Sequence, residues 1–408
     1  MTASTLQPLG RGPRIPGVLA AGVVQAACLA MASILAARWL GPRSFGTYSF
    51  ILTLASLVAL LLGLGSGSAV RVLLTRAGDE GWLYAYAGLS VRLLVVLAPT
   101  VLILALLLPS GSLSSASAAV LVSIGAFCTR QSVDLLHARG KSVLAITSAA
   151  ASGLLAVVVF IALHAVGQLT AVTGLVGYGA CYLLPALTVL RDRSRDPWLC
   201  HAGAVHKRRE LLEIGLPASG MQVGLLLVHR LDRVLLGLLA GPAAVGVYSI
   251  AASMSEATRL LPQAVGQVSF FRAGDPSRNE QLSRVRALTL VAVGSIAVLV
   301  GLAAPRVVHL VVGQGYDEAV TPLRVLLVGE VLFSSIFINS RILLARSRQR
   351  LVGTVGIICA GVASVLYLSL IDAFDAVGAA FASVLVYALM SLLLGLALRR
   401  DARESGAT

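Results

Sequence analysis

Four ionisable residues, His229, Arg230, Asp232 and Arg233, stand within one stretch from Ile214 to Ala240 that is otherwise mostly Leu, Val, Gly and Ala. At about 100° per residue all four fall on one side of a helix, and Gln222 lies on the same side. The next apolar stretch carries Glu256 and Arg259 one turn apart, Arg92 lies in an earlier one and Glu330 in a later one. At 1.5 Å per residue Glu256 is about 18 Å from the outer end of its stretch, and Arg92 is about 15 Å from Trp82. Ionisable groups at such depth in a bilayer each cost at least ~2.5 kcal/mol, so they face a protein-lined or watery interior. Arginine stays charged and offers a planar fork of donors that matches phosphate and diphosphate oxygens. The chemistry expected is therefore a central cavity in which Arg92, Arg230, Arg233 and Arg259 contact an anionic substrate. Asp232, Glu256 and Glu330 would balance charge or carry a coupling ion. The competing reading makes Glu256 with Arg259, and Asp232 with a neighbouring Arg, structural ion pairs, with His229 a hydrogen-bonded packing residue.

The elements that must position these residues are membrane spans. The chain has 408 residues, 57% hydrophobic and 12% charged, against roughly 45–50% and about 25% in soluble domains. Apolar runs of spanning length, about 20 residues, cover 16–37, 45–70, 83–108, 114–136, 142–164, 168–190, 214–240, 244–271, 287–311, 322–344, 351–371 and 375–398. They lack the alternation of a barrel, which predicts an all-α integral membrane bundle of twelve helices. Of the 32 Lys and Arg, 24 fall at or within two turns of the termini and the even-numbered loops, whereas Arg38, Arg43, Arg306 and Arg324 occupy the odd loops. That asymmetry predicts a plasma-membrane protein with both termini cytoplasmic. The net charge of +14 then reflects topology and contact with anionic membrane lipids, not nucleic acid, since no nucleic-acid motif accompanies it.

No cofactor, metal or catalytic motif stands out. Cys28, Cys128, Cys181, Cys200 and Cys359 include no Cys-x-x-Cys pair and read as small packing residues. Cys200 with His201 and His206 is a poor metal pattern on a loop, and Gly63-Leu-Gly-Ser-Gly67 lacks the strand and Lys-Ser/Thr of a phosphate loop.

The chain also repeats. Gly41-Pro-Arg-Ser-Phe-Gly-Thr-Tyr-Ser49 and Gly241-Pro-Ala-Ala-Val-Gly-Val-Tyr-Ser249 share Gly-Pro-x-x-x-Gly-x-Tyr-Ser at an offset of 200 residues. Arg76-Ala-Gly-Asp79 matches Arg272-Ala-Gly-Asp275, and Leu136-His-Ala-Arg139 resembles Leu344-Ala-Arg346, in the same order. These matches predict two six-helix lobes, 1–190 and 214–408, joined by a basic cytoplasmic linker, 191–213. With an even number of spans per lobe, their pseudo-twofold axis runs along the membrane normal.

The stretch Arg38-Trp-Leu-Gly-Pro-Arg-Ser-Phe-Gly-Thr-Tyr48, and its counterpart from Asp232 to Tyr248, resemble the repeated motif of polysaccharide (oligosaccharide) flippases. That family belongs to the multidrug/oligosaccharidyl-lipid/polysaccharide (MOP) exporter superfamily, which also holds lipid II flippases and multidrug and toxic compound extrusion (MATE) transporters. The resemblance implies alternating-access transfer of a polyprenyl-diphosphate-linked glycan from the cytoplasmic to the outer leaflet, with polysaccharide biosynthesis proteins as partners. It supplies no fixed catalytic residues, and the protein is not expected to be an enzyme. A cation-coupled multidrug exporter of the same superfamily is one alternative. A membrane glycan polymerase or ligase is another, but the outer loops are too short to carry a catalytic constellation.

Overall fold

The computed structural model describes residues 15–77, 81–106, 112–193, 204–272, 279–346 and 348–404, and every element among them is helical. In chain order these are α1 (Ile15–Leu62), α2 (Ser66–Ala77), α3 (Gly81–Leu106), α4 (Leu113–Ala138), α5 (Ser142–Ala165), α6 (Ala171–Cys181) and α7 (Leu184–Arg193). There follow α8 (Ala204–Leu239), α9 (Gly241–Glu256), α10 (Leu260–Arg272), α11 (Asn279–Val312), α12 (Val320–Ala345) and α13 (Gln349–Glu404). Single-turn 3₁₀ segments at Ala257–Arg259 and Asp317–Ala319 lead into α10 and α12.

Among the described residues eight helical stretches are long and apolar enough to cross a membrane. Two are much longer than one crossing requires. Val24–Leu62 has 39 residues and Arg350–Asp401 has 52, whereas a bilayer core needs about 20. Both are broken internally. Gly41, at φ 74° and ψ 169°, interrupts α1, and Asp375, at φ 47° and ψ −126°, interrupts α13. The first break follows from residue chemistry, because glycine tolerates positive φ and the following Pro42 is preset to restart a helix. Gly241 takes the same conformation, φ 83°, ahead of Pro242 at the start of α9. Two other helices start on capping side chains: Ser112 caps α4 and Thr170 caps α6, each in a reciprocal box with the residue three positions on.

Large apolar side chains such as Val95, Leu302 and Leu310 lie on the outer surface. Lipid, not water, is the solvent that suits such a face, and this is a multi-pass membrane protein. The interior is closed by small residues. α1 packs on α9 and α5, α8 on α13, and α12 on α13. A Cβ at Gly224 would come within 2.8 Å of the Gly356 backbone, and one at Gly237 within 2.2 Å of the Phe50 ring, so both glycines are required for helix contact.

The duplicated turns meet each other. A Cβ at Gly46 would lie 1.6 Å from the Pro242 carbonyl oxygen, and one at Gly246 would lie 2.0 Å from that of Pro42. Beside them Ser49 Oγ donates to Ser249 Oγ at 2.7 Å. Each half of the repeat contacts the other through the same residues, the reciprocity of a twofold contact. The matched segment Arg76–Asp79 with Arg272–Asp275 lies largely outside the described residues, as do Cys200 and His201.

Of the expected linker, residues 204–213 are helical and continuous with α8. Leu211 is fully buried beside Trp82, Tyr86 and Leu136, and Lys207 Nζ stands 5.6 Å from the Trp82 ring centroid. This basic run is therefore docked on α2 and α3 along its apolar face, not solvated throughout.

Candidate functional site

α8 carries Arg230, Asp232 and Arg233 on the side turned to α9, whose Tyr248 and Glu256 supply their polar partners. Arg233 is buried, with its side chain 8% exposed, and its guanidinium donates to Glu256 Oε1 at 3.0 Å. Glu256, at the end of α9, also faces Arg259 at 3.6 Å and Arg230 at 3.9 Å. Arg259 reaches across to α12, where its Nε and terminal nitrogen donate to both oxygens of Glu330 at 2.7 Å each. That guanidinium also lies 4.2 Å from the centroid of the Phe333 ring. Glu330 is 1% exposed. Asp232, also buried, accepts from the Arg233 backbone N–H at 2.6 Å and from the Tyr248 hydroxyl at 2.7 Å.

A layer of hydroxyls supports this network. Tyr248 and Tyr367 both hydrogen-bond Ser383, at 3.1 and 3.0 Å, and His229 Nδ1 hydrogen-bonds the Tyr387 hydroxyl at 3.0 Å. His229 also packs edge-on against Phe333, with ring centroids 4.6 Å apart. It is the hydrogen-bonded packing residue that its isolated position suggests.

The structure thus brings together six of the seven Arg, Asp and Glu residues singled out in the sequence: Arg230, Arg233, Arg259, Asp232, Glu256 and Glu330. Their formal charges cancel, three against three. Burial is graded, and Arg230, at 36% exposure and with the longest ion-pair distance, is the guanidinium on the open side. Tyr178 on α6 is stacked on Tyr182 with ring centroids 4.3 Å apart. The Gln222 side chain lies outside the described residues.

Arg92 is elsewhere. It is exposed on α3 and, among the described residues, makes no hydrogen bond or ion pair. One turn before it on α3 is Gly88, where a Cβ would meet the Arg208 guanidinium at 2.9 Å. Arg208 Nε is buried without a hydrogen-bond partner. Two guanidinium groups, one from α3 and one from α8, therefore flank one face of α3 with no carboxylate within ion-pair distance among the described residues. Sequence reasoning missed Arg208 because it stands in a basic run that reads as a linker. The signal available was Leu211-Leu212 beyond it, which gives that run an apolar face. No group of His, Cys, Asp and Glu suited to a metal ion occurs among the described residues.

The chain matches the family model described as polysaccharide biosynthesis protein over residues 18–271. No curated protein sequence matches it significantly. Its fold is similar to several solved transporters. Against lipid II flippase MurJ in an inward closed conformation, the TM-score is 0.74 at 13% identity, covering 94% of this chain and 87% of that one. Against a multidrug resistance MATE family transporter of the MOP superfamily in an inward-facing conformation, it is 0.72 at 16% identity, covering 95% and 98%. Against a MOP superfamily transporter from Pyrococcus furiosus, described as having a binding pocket of reverse polarity, it is 0.61 at 15% identity, covering 96% and 98%.

Proposed function

We infer the function from one premise: the chain belongs to the polysaccharide biosynthesis protein family, whose model it matches over residues 18–271. On that premise the protein is a flippase. It moves a polyprenyl-diphosphate-linked oligosaccharide or polysaccharide precursor from the cytoplasmic to the outer leaflet of the plasma membrane by alternating access. Twelve crossings in two six-helix lobes, 1–190 and 214–408, with both termini cytoplasmic, complete the reading. The turns at Gly41 and Asp375 divide the two overlong helices, and the reciprocal contact of Gly46 and Gly246 supports an axis between the lobes.

One observation carries the choice of an anionic substrate over the multidrug alternative. Arg92 and Arg208 come from α3 and α8 and have no carboxylate partner among the described residues. Uncompensated positive charge of this kind attracts a diphosphate. The balanced network on α8, α9 and α12 contributes little net field by itself. Its role is to hold Arg230 at the open edge, where it donates to the substrate, while Glu256 balances it between transport cycles. Asp232 and Glu330 are structural members of the same network. The polyprenyl tail remains in lipid, and only the headgroup crosses.

The test is export of the lipid-linked glycan per molecule of membrane protein. Arg92→Gln, Arg208→Gln and Arg230→Gln should each lower export about tenfold or more while abundance holds, since a charge-assisted hydrogen bond contributes roughly 1.5–3 kcal/mol. Arg230→Lys should recover only part of it, because the charge returns without the bidentate fork. Normal export per molecule in all of these variants would exclude the reading.

A further inference from the structure

A cavity of about 390 Å³ opens between α11, α12 and α13, away from the network described above. It lies in the size range of small-molecule sites, about 300–1,000 Å³. Asn339 on its wall is about 14 Å along α12 from Glu330, at 1.5 Å per residue. Arg286, Arg346 and Arg399 line it. Arg286 is two turns into α11, Arg346 follows the last turn of α12, and Arg399 is near the end of α13. All three are therefore at the end of the bundle where the C-terminus lies, at the level where a helix meets headgroups.

The polar wall is arranged, not incidental. Arg286 donates to Asn339 Oδ1 at 3.1 Å, and the buried Asn339 donates in turn to Ser335 Oγ at 3.2 Å. This leaves Arg286 fixed in direction, with no carboxylate within ion-pair distance among the described residues. Asp401 takes Arg346 at 3.0 Å and Arg348 at 2.8 Å. Asp401 thus balances one of Arg346 and Arg348, while Arg286 and Arg399 have no carboxylate within ion-pair distance among the described residues, and the local charge is positive. The other wall is apolar. Leu392 and Leu396 line the cavity one turn apart on α13 and are exposed on its outer surface, so the wall continues onto the membrane-facing side. Gly395 stands between them, and a Cβ there would touch only Asn339 Nδ2, at 4.0 Å.

We propose that this cavity binds the phosphate headgroup of an anionic phospholipid, with Arg286 and Arg399 on the phosphate and an acyl chain along Leu392 and Leu396. The apolar wall is what selects a lipid over free phosphate, because an isolated anion has no use for it. Basic cavities between helices at a membrane surface suit such headgroups. The site is independent of what the central network carries.

The experiment uses the full chain in detergent, stripped of lipid, and counts bound molecules by native mass spectrometry after addition of phosphatidylglycerol, phosphatidylcholine or inorganic phosphate. The wild type should retain phosphatidylglycerol in preference to phosphatidylcholine. Arg399→Gln should weaken that retention about fivefold, and Arg286→Gln with Arg399→Gln about thirtyfold, from ~1 kcal/mol per arginine near a surface. Gly395→Leu should abolish it with every charge intact, because the new side chain occupies the cavity. Arg230→Gln, which tests the transport reading, should retain phosphatidylglycerol as the wild type does. If the double variant does not fold, Arg399→Gln, on an exposed side chain, and Gly395→Leu decide the matter. Equal retention of the two lipids overturns the proposal, as does phosphatidylglycerol binding unchanged within twofold in Arg399→Gln and Gly395→Leu. Retention of inorganic phosphate with no retention of lipid overturns it equally, and assigns the arginines to a free anion.

Discussion

The pair Arg259 and Glu330 offers the sharpest separation of structural charge from transporting charge. Two hydrogen bonds of 2.7 Å join them, and Glu330 is 1% exposed. With Arg259→Met, Glu330 retains, among the described residues, only the Ser255 hydroxyl, at 3.4 Å. Stranding a buried charge in this way costs about 3–5 kcal/mol. Glu330→Leu is milder, because Arg259 keeps Glu256 at 3.6 Å; losing the charged hydrogen bonds costs about 1.5–3 kcal/mol. Were the effects independent, the double variant would lose roughly 5–8 kcal/mol. Replacing both members of a buried pair by apolar residues is instead often close to neutral, so Arg259→Met with Glu330→Leu should come within about 2 kcal/mol of the wild type. The coupling energy is then at least about 3 kcal/mol. Thermal unfolding of the detergent-solubilised protein and its abundance in membranes are the two measurements, with glycan export per molecule alongside. A stable, abundant Arg259→Met that no longer exports would refute the structural assignment and return Arg259 to the substrate.

The reciprocal turn gives a second expectation. Gly46→Ala and Gly246→Ala should each destabilise by at least the ~1–3 kcal/mol of an overpacked core, because backbone must move in both cases, and unchanged melting of either would remove the close approach. Tyr248→Phe deletes the hydroxyl that joins Asp232 and Ser383 and should lower stability by about 1–3 kcal/mol, read by the same melting measurement. Asp401→Asn should loosen the clamp on Arg346 and Arg348 by about 1–3 kcal/mol, visible as faster proteolysis near residues 346–350; an unaltered digestion pattern would deny the clamp a role.

How far these features could be read in advance depends on the range over which they are determined. The Gly-Pro turns were legible because glycine's tolerance of positive φ and proline's fixed φ act within two residues. Gly41 and Gly241 adopt the backbone that those types suggest. That the ionisable residues stand inside helices was legible too, since it needs only the length and character of an apolar run. Their pairing was not. Arg233 meets Glu256 at a separation of 23 residues, and Arg259 meets Glu330 at 71. No periodicity within one helix ranks those partners above the others available. The same limit hid Arg208, whose placement over Gly88 depends on how α8 docks on α3.

That limit changes which charges matter for transport. An intramembrane arginine invites a functional reading because of its cost, and the most deeply placed ones invite it most. Here depth and availability run in opposite directions. Arg233 and Arg259 are the least exposed arginines of the network and have the closest carboxylates, at 3.0 and 2.7 Å. Arg230 is the most exposed of the three and sits 3.9 Å from Glu256. A substrate diphosphate can recruit a guanidinium only by displacing what already holds it, so the cost of recruitment rises from Arg230 to Arg233 and is highest at Arg259, where two 2.7 Å bonds would break. Arg92 and Arg208, with no described carboxylate to displace, lie at the low end of that scale. Export should therefore depend on Arg92, Arg208 and Arg230, and folding on Arg233 and Arg259. Single glutamine variants of all five, each scored for export per molecule and for abundance, should fall into those two groups; a set in which the two scores decline together would dissolve the distinction.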